Sequence, residues 1–370
     1  MSKVLITGGA GFIGSHTADK LIELGFDVRI LDNLQQPIHK KGRPDYLNPK
    51  AEFILGDVRD ANVLLYALKD VSFVFHFAAY QGCLTDFSTF YDVNTVSTAL
   101  LYELIVAHKL PVKKVIVASS QFVQGEGLYQ NEAGKISSPF QRPMEKLEKG
   151  VWNWTDKNDN PLQWLWTSEQ HANPPNAYAI SKYTQELTAL AHGKRYDIPS
   201  VALRYSIVQG ARQSIFSAYS SVCRIFNLHY YFGHAPTIFE DGLQKRDFVD
   251  VRDVVAANVL VLENSAADNQ VFCVGGGKDY SIKEFDRLVA KAHNKESVEP
   301  NISGVFRVGD TRNACSDISK IRALGWTPQY NAQNSIEHYL EYLHQQGNIE
   351  NTLGHIEKVM KKKNVVRKVK

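Results

Sequence analysis

The sequence predicts an α/β protein: a doubly wound parallel sheet with a smaller C-terminal substrate lobe. Three observations predict it. Short β-rich apolar runs alternate with longer helical patterns through the first half. A glycine-rich turn, Gly8-Gly9-Ala10-Gly11-Phe12-Ile13-Gly14, joins the first apolar run to the first helical one. Downstream, Tyr178 and Lys182 stand four residues apart in a helical stretch and so share one helix face.

Taken in order, Lys3–Thr7 reads as a strand, Phe12–Leu24 as a helix and Val28–Leu31 as a second strand. Phe53–Leu55, Phe73–Phe77, Val115–Ala118 and Val201–Arg204 continue the strand series, each after a helix or crossover. That β-α-β order implies parallel strands with helices on both faces. Ligands of such sheets bind beyond the carboxyl ends of the strands. After about Gly210 the pattern loosens into helices such as Asp253–Leu262 and Ile282–Ala292. The expected organisation is residues 1–210 as the nucleotide domain, 211–335 as a partly discontinuous substrate lobe, and 336–370 as a helix and basic tail. Within the first unit, residues 126–172 form an insertion holding four of the five tryptophans, Trp152, Trp154, Trp164 and Trp166. Disordered segments are poor in aromatics, so this one is expected to be ordered and packed against the body, as a surface elaboration or as a wall over the substrate.

Composition narrows the function classes. With 44% hydrophobic and 22% charged residues the chain is an ordinary globular one. A formal net charge of +3, with no basic cluster before the C-terminus, gives no case for nucleic acid. The terminal Lys361-Lys362-Lys363 and Arg367-Lys368-Val369-Lys370 read as a solvated, fraying tail, with a membrane or polyanion contact as the alternative. Cys83, Cys223, Cys273 and Cys315 have no metal-ligand spacing and no disulfide framework, so buried thiols in a reducing compartment and no metal are expected. A strand beginning at residue 3 leaves no signal peptide. No apolar run approaches the roughly 18 residues of a membrane span. A cytoplasmic enzyme with no membrane partner is the expectation.

Gly8, Gly11 and Gly14 permit a tight turn and bring backbone N–H groups up to a pyrophosphate, which marks a Rossmann-type dinucleotide site. Asp32 ends the next strand, eighteen residues beyond Gly14 and close to the spacing of about 20 at which a carboxylate takes the ribose hydroxyls. It would repel a 2′-phosphate, so NAD is expected over NADP. Gly56-Asp57-Val58 closes the third strand where the adenine edge should lie, unless Asp57 is only a helix cap. His76 reads as a satisfied strand-end histidine. The ammonium of Lys182 is expected to lower the pKa of the Tyr178 phenol and make it a base. A dinucleotide cradle with such a pair points to hydride chemistry on an alcohol or ketone.

These residues together resemble the extended short-chain dehydrogenase/reductase family, in its nucleotide-sugar epimerase/dehydratase branch, over roughly residues 1–330. The resemblance rests on the glycine loop, Asp32-Asn33-Leu34, Asp57-Val58, Ala118-Ser119-Ser120, Tyr178-xxx-Lys182, Leu203-Arg204-Tyr205, Asp241-Gly242-x-Gln244-x-Arg246-Asp247 and Arg307-x-Gly309-Asp310. It implies cofactor contacts at Phe12, Ile13, Asp32, Asn33, Asp57, Val58, Phe77, Ala78, Ala79, Gln81, Asn94 and Ser206. It implies a catalytic trio of Ser120, Tyr178 and Lys182, the last two also touching the cofactor. It implies that Arg246 and Arg307 hold a substrate diphosphate, a task suited to a guanidinium fork. It also implies a homodimer through the helices near Asp92–His108 and Ala177–His192, with Leu100, Leu101, Leu104 and Ile105 in the interface or in the subunit's own core.

The chain departs from the family pattern where Val123-Gln124-Gly125 replaces the usual Val-Tyr-Gly and where Ile207 replaces an asparagine that helps seat the substrate. Its insertion resembles that of a subgroup including dTDP-L-rhamnose 4-epimerases, through Gly125-Glu126-Gly127-x-Tyr129, Leu147-x-x-Gly150 and Asn176-Ala177-Tyr178-Ala179. Dehydratases of the family carry an acid–base carboxylate beside the serine; Gln121-Phe122 stands there and cannot take a proton from sugar C5. The implied activity is 4-epimerisation of a nucleotide-diphosphate hexose or 6-deoxyhexose through a 4-keto sugar. A dehydrogenase or reductase, a 4,6-dehydratase, and a catalytically silent NAD-binding protein are the alternatives.

Overall fold

Seven parallel strands form the central sheet: β1 (Lys3–Thr7), β2 (Asp27–Asp32), β3 (Glu52–Leu55), β4 (Phe73–His76), β5 (Lys114–Ser120), β6 (Ser200–Tyr205) and β7 (Gln270–Val274). Their order is β3-β2-β1-β4-β5-β6-β7. The computed structural model describes residues 2–82, 85–217, 221–302, 304–354 and 366–369. The order reverses between β1 and β4, which opens a crevice at the strands' carboxyl ends. Register aligns that edge: Thr7 lies opposite both Leu31 and His76, and Ser120 opposite Tyr205. Val4, Leu5 and Ile6 are fully buried, the continuous apolar run that a strand covered on both faces requires.

The main helices are α1 (Phe12–Glu23), α2 (Ala61–Ala67), α3 (Ser97–Ala107), α4 (Ala177–Arg195), α5 (Val222–Tyr231), α6 (Val251–Glu263), α7 (Ile282–Ala292) and α8 (Ala332–Gln345). Gly14, Thr17, Ala18 and Leu21 recur at helical spacing and face the core from α1. Ser281 and Glu284 form a capping box at the start of α7. Helices α5, α7 and α8 bury Phe226, Phe285, Ile336 and Tyr339 in a second core, in the part of the chain expected to be the substrate lobe.

Beyond residue 210 the chain returns to the first lobe. Helix α6 packs on α1, and β7, a strand not expected from the sequence, pairs with β6 from Gln270–Val201 to Val274–Tyr205. Its run Gln-Val-Phe-Cys-Val is too short for periodicity to separate strand from helix.

The insertion is ordered. Leu128–Gln130, Ile136–Ser137 and Gln163–Leu165 make a small antiparallel sheet. Arg142 reaches from the insertion to Glu240 through two hydrogen bonds of 2.9 and 2.7 Å, and Arg312 donates to Glu240 and Asp241. The insertion thus lies against the substrate lobe.

One expectation is corrected. The tail is not simply solvated: Val366–Lys368 forms a strand against Val305–Arg307, because an unpaired edge strand offers backbone partners that fraying would leave to water. Lys361, Lys362, Lys363 and Lys370 lie outside the described residues, as does Cys83. Of the two places expected for them, Leu101, Leu104 and Ile105 take the subunit's own core, packed between α3 and the sheet. Among the described residues no helix is long and apolar enough to cross a membrane, and no cluster could hold a metal ion.

A buried ion pair fastens α4 to the sheet. Arg204 on β6 donates from Nε and Nη2 to the two oxygens of Glu186, both at 2.8 Å, and Ser119 donates to the same carboxylate. Removing one partner strands a buried charge, so Arg204→Met is expected to lower the unfolding free energy by about 3–5 kcal/mol in urea titration. A loss below about 1 kcal/mol, typical of an exposed pair, would contradict this role.

Candidate active site

The nucleotide cradle sits where β1 meets α1. Gly8 has φ +68°, and a Cβ there would lie 2.7 Å from Ala78 N; one on Gly14 would lie 2.5 Å from the Gly8 carbonyl oxygen. Only glycine fits either place. Helix α1 starts at Gly11 without a side-chain cap, which leaves first-turn N–H groups for an anion. Phe12 and Ile13 begin that helix. Asp32 shapes the loop as well as facing it, accepting from Ala10 N at 3.0 Å and Leu34 N at 2.9 Å. His39, which the sequence did not single out, places Nε2 4.0 Å from Asp32 Oδ1. This uncapped helix end, glycine turn and carboxylate fit a dinucleotide.

At the edge expected to face adenine, Asp57 accepts from Asn33 Nδ2 at 3.0 Å and pairs with Arg59, whose hydrogen bond draws its pKa down to about 2. The cap of α2 is Asp60 instead. Val58 is buried behind them. His76 is satisfied by Thr7 Oγ1 at 2.8 Å and Ser97 Oγ at 3.0 Å, and burial pushes its pKa to about 3. Phe77, Ala78, Ala79 and Gln81 follow β4 along the crevice. Asn94, in a π-helical turn (Tyr91–Val96), accepts from Tyr80 N and donates to Tyr80 O and Ser181 Oγ. Its amide braces that segment against α4.

The trio converges from β5 and α4. Asn176 caps α4 by accepting from Ala179 N at 2.9 Å, which sets Tyr178 in the first turn. Lys182 follows one turn on. Ser120 ends β5, and its Oγ accepts from Phe122 N at 3.2 Å, leaving its O–H to donate. The Phe122 ring meets Tyr178 edge-on at 6.3 Å. Beside Ser120, both amide heteroatoms of Gln121 are buried without a partner.

The expected ionisation of Tyr178 is corrected here. Burial raises its pKa to about 12, and only the Ser120 hydroxyl pulls it back. The Lys182 amine does not act on the phenol directly: it donates to Ala118 O at 2.8 Å and Gln185 Oε1 at 2.9 Å, and burial drops its pKa to about 7. Desolvation disfavours both charged forms, and for the amine it outweighs the Glu186 carboxylate, which favours the ammonium. Gln185, unmarked in the sequence, is held by donating to Thr98 Oγ1 at 3.0 Å; its place three residues after Lys182 was the available signal.

On the substrate side, Ser206 donates to Asp247 Oδ2 at 2.8 Å. Arg246 donates to the carbonyls of Lys245, Arg312 and Thr311 and to Asp310 Oδ1. Arg307 is less buried and lies over the Phe239 ring at 5.6 Å. Gln124, the departure after the serine, has a tertiary reason: its amide donates to Thr167 O and Ser168 O and accepts from Ser316, which pins the end of the insertion.

Comparison with known proteins agrees with this geometry. The NAD dependent epimerase/dehydratase family model matches residues 4–147 and 154–275. The chain is 33% identical over 341 residues to a dTDP-L-rhamnose 4-epimerase of Burkholderia thailandensis, across 90% of this chain and 93% of that one. It is 28% identical over 349 residues to a UDP-glucose 4-epimerase of Lacticaseibacillus casei, across 88% and 92%. The crystal structure of a UDP-glucose 4-epimerase from Thermotoga maritima with UDP-glucose superposes with a TM-score of 0.76 at 28% identity, over 94% of this chain and all 100% of that one. A Thermus thermophilus UDP-glucose 4-epimerase in complex with NAD does so with a TM-score of 0.70 at 25% identity, over the same 94% and 100%.

In the cofactor-free protein the Lys182 amine is expected to lose its proton near pH 7, not near the ordinary 10.5. Between those values the unfolded chain holds a proton that the folded one has released, so this group makes stability rise with pH across that window. NMR of lysine-labelled protein reads the titration; a midpoint at 10 or above would contradict it.

Proposed function

Because the chain belongs to the NAD dependent epimerase/dehydratase family, we propose that it inverts carbon 4 of a nucleotide-diphosphate hexose or 6-deoxyhexose. The observation that carries this reading is the convergence of Ser120, Tyr178 and Lys182 at the edge of a glycine-built dinucleotide cradle. NAD supplies the hydride acceptor and donor, and the charge of its oxidised ring favours a phenolate close by. Gly8, Gly11, Phe12, Ile13 and Gly14 would hold its pyrophosphate, Asp32 and Asn33 its ribose, Asp57 and Val58 its adenine side. The Phe77–Gln81 segment, Asn94 and Ser206 would line its other end.

Tyr178 as phenolate takes the proton of the C4 hydroxyl while the C4 hydride leaves. Ser120 donates to the reacting oxygen and relays the proton. Lys182, held by Ala118 O and Gln185, would hold the nicotinamide ribose. The 4-keto sugar would turn over and take hydride back on its opposite face as Tyr178 returns the proton. No net redox change remains. Elimination of water is unsupported, since neither the Gln121 amide nor the Phe122 ring can carry a C5 proton. Arg246 and Arg307 would hold the substrate diphosphate; the pairing of Arg246 with Asp310 would fix its fork in place.

The cytoplasm is the proposed compartment, in keeping with the free buried thiols of Cys223, Cys273 and Cys315. A homodimer through α4 is also proposed. Ile180 and Leu187 lie on one exposed face of that helix, and Val96 is exposed beside it.

Incubation with NAD and a panel of nucleotide sugars, followed by NMR, tests the reaction. Inversion at C4 without accumulating NADH is expected; accumulating NADH or a 4-keto-6-deoxy product would replace the epimerase reading. Tyr178→Phe is expected to retain NAD and lose about 10²–10⁴ in kcat; unchanged turnover would remove the phenol from the mechanism. Leu187→Glu is expected to convert a dimer to a monomer in analytical ultracentrifugation, and a monomeric parent chain would sink the dimer.

A further inference from the structure

The described C-terminal segment does not end in solvent. Val366–Lys368 runs antiparallel to Val305–Arg307, with Lys368 opposite Val305, Arg367 opposite Phe306 and Val366 opposite Arg307. Val369 N then donates to Gly304 O at 3.1 Å. The Val369 side chain packs between two glycines: a Cβ on Gly304 would lie 3.4 Å from it, and one on Gly150 4.0 Å. The 305–307 strand has no other ladder partner among the described residues. Its other contacts include the Val305 carbonyl, which accepts from Glu240 N at 2.7 Å, Phe306, fully buried and 5.9 Å from the Trp152 ring, and Arg307 over the Phe239 ring. That strand carries Arg307, and three residues on comes Asp310, which holds Arg246.

We propose that residues 366–369 are a positioning element of the diphosphate site, a strap that sets where Arg307 presents its guanidinium. This rests on the reading above, in which Arg307 and Arg246 receive a nucleotide diphosphate. The physical case is that a three-residue strand with one buried side chain is marginal without a ladder. Here each segment supplies the other's missing backbone partner. The strap also brings the insertion, through Gly150, against the same strand. Its contribution is geometric: the Arg367–Glu148 approach of 3.9 Å is exposed and weak.

The test compares the full chain with one ended after residue 364. The truncated protein is expected to show a KM for its nucleotide sugar raised roughly tenfold, with kcat within about twofold, and unchanged NAD affinity and melting temperature. Added peptide of residues 365–370 is expected to restore KM. An unaltered KM would overturn the proposal, as would a parallel fall in NAD affinity and melting temperature, which marks general loosening. Calorimetry with free dTDP and UDP reads the same arginines without turnover. An inactive full chain that binds a diphosphate more tightly than the truncated one would defeat the epimerase reading and keep the strap. A full chain that binds neither diphosphate nor nucleotide sugar would overturn both.

Discussion

The arrangement depends on the Arg204–Glu186 pair. Tyr178 and Lys182 ride on α4, which must stand at one height and rotation against β5 and β6 for the phenol to reach Ser120 and the amine to reach the Ala118 carbonyl. Apolar packing alone tolerates sliding. A bidentate guanidinium–carboxylate contact buried from water does not, because displacement by about an ångström breaks charge-assisted bonds that nothing else satisfies. The same arginine donates to the carbonyls of Glu169 and His171, so one side chain registers α4, the sheet and the exit of the insertion.

The cradle and the trio obey opposite constraints. Around Gly8 and Gly14 the backbone must come close, and side chains are excluded. Around Tyr178 and Lys182 side chains are packed tightly enough that desolvation governs ionisation, holding the phenol protonated and pushing the amine toward neutrality. Desolvation thus opposes charge on both groups, and a cationic cofactor ring is the kind of partner that would shift the balance toward phenolate.

The insertion and substrate lobe are joined by charge. Glu126 accepts from the Arg312 backbone N–H, and Arg142 and Arg312 share Glu240. Burial favours the neutral form of Glu126 and raises its pKa. Such clusters gain little over apolar packing but punish misalignment, which suits a junction that must hold one geometry.

Local chemistry written in the sequence determined the parallel sheet, the glycine turn, Asp32, and the Ser–Tyr–Lys trio, since each rests on backbone sterics or on spacing along one element. Tertiary structure decided what distance in space controls. It moved β7 into the main sheet, turned Arg204 and Gln124 into fasteners, and buried Leu101 and Ile105 inside the subunit. It also folded Val366–Lys368 back onto the strand of Arg307. The ionisation of the trio belongs to this second group: four-residue spacing places an amine and a phenol on one face, but their pKa values follow from how much water and charge the surrounding fold leaves beside them.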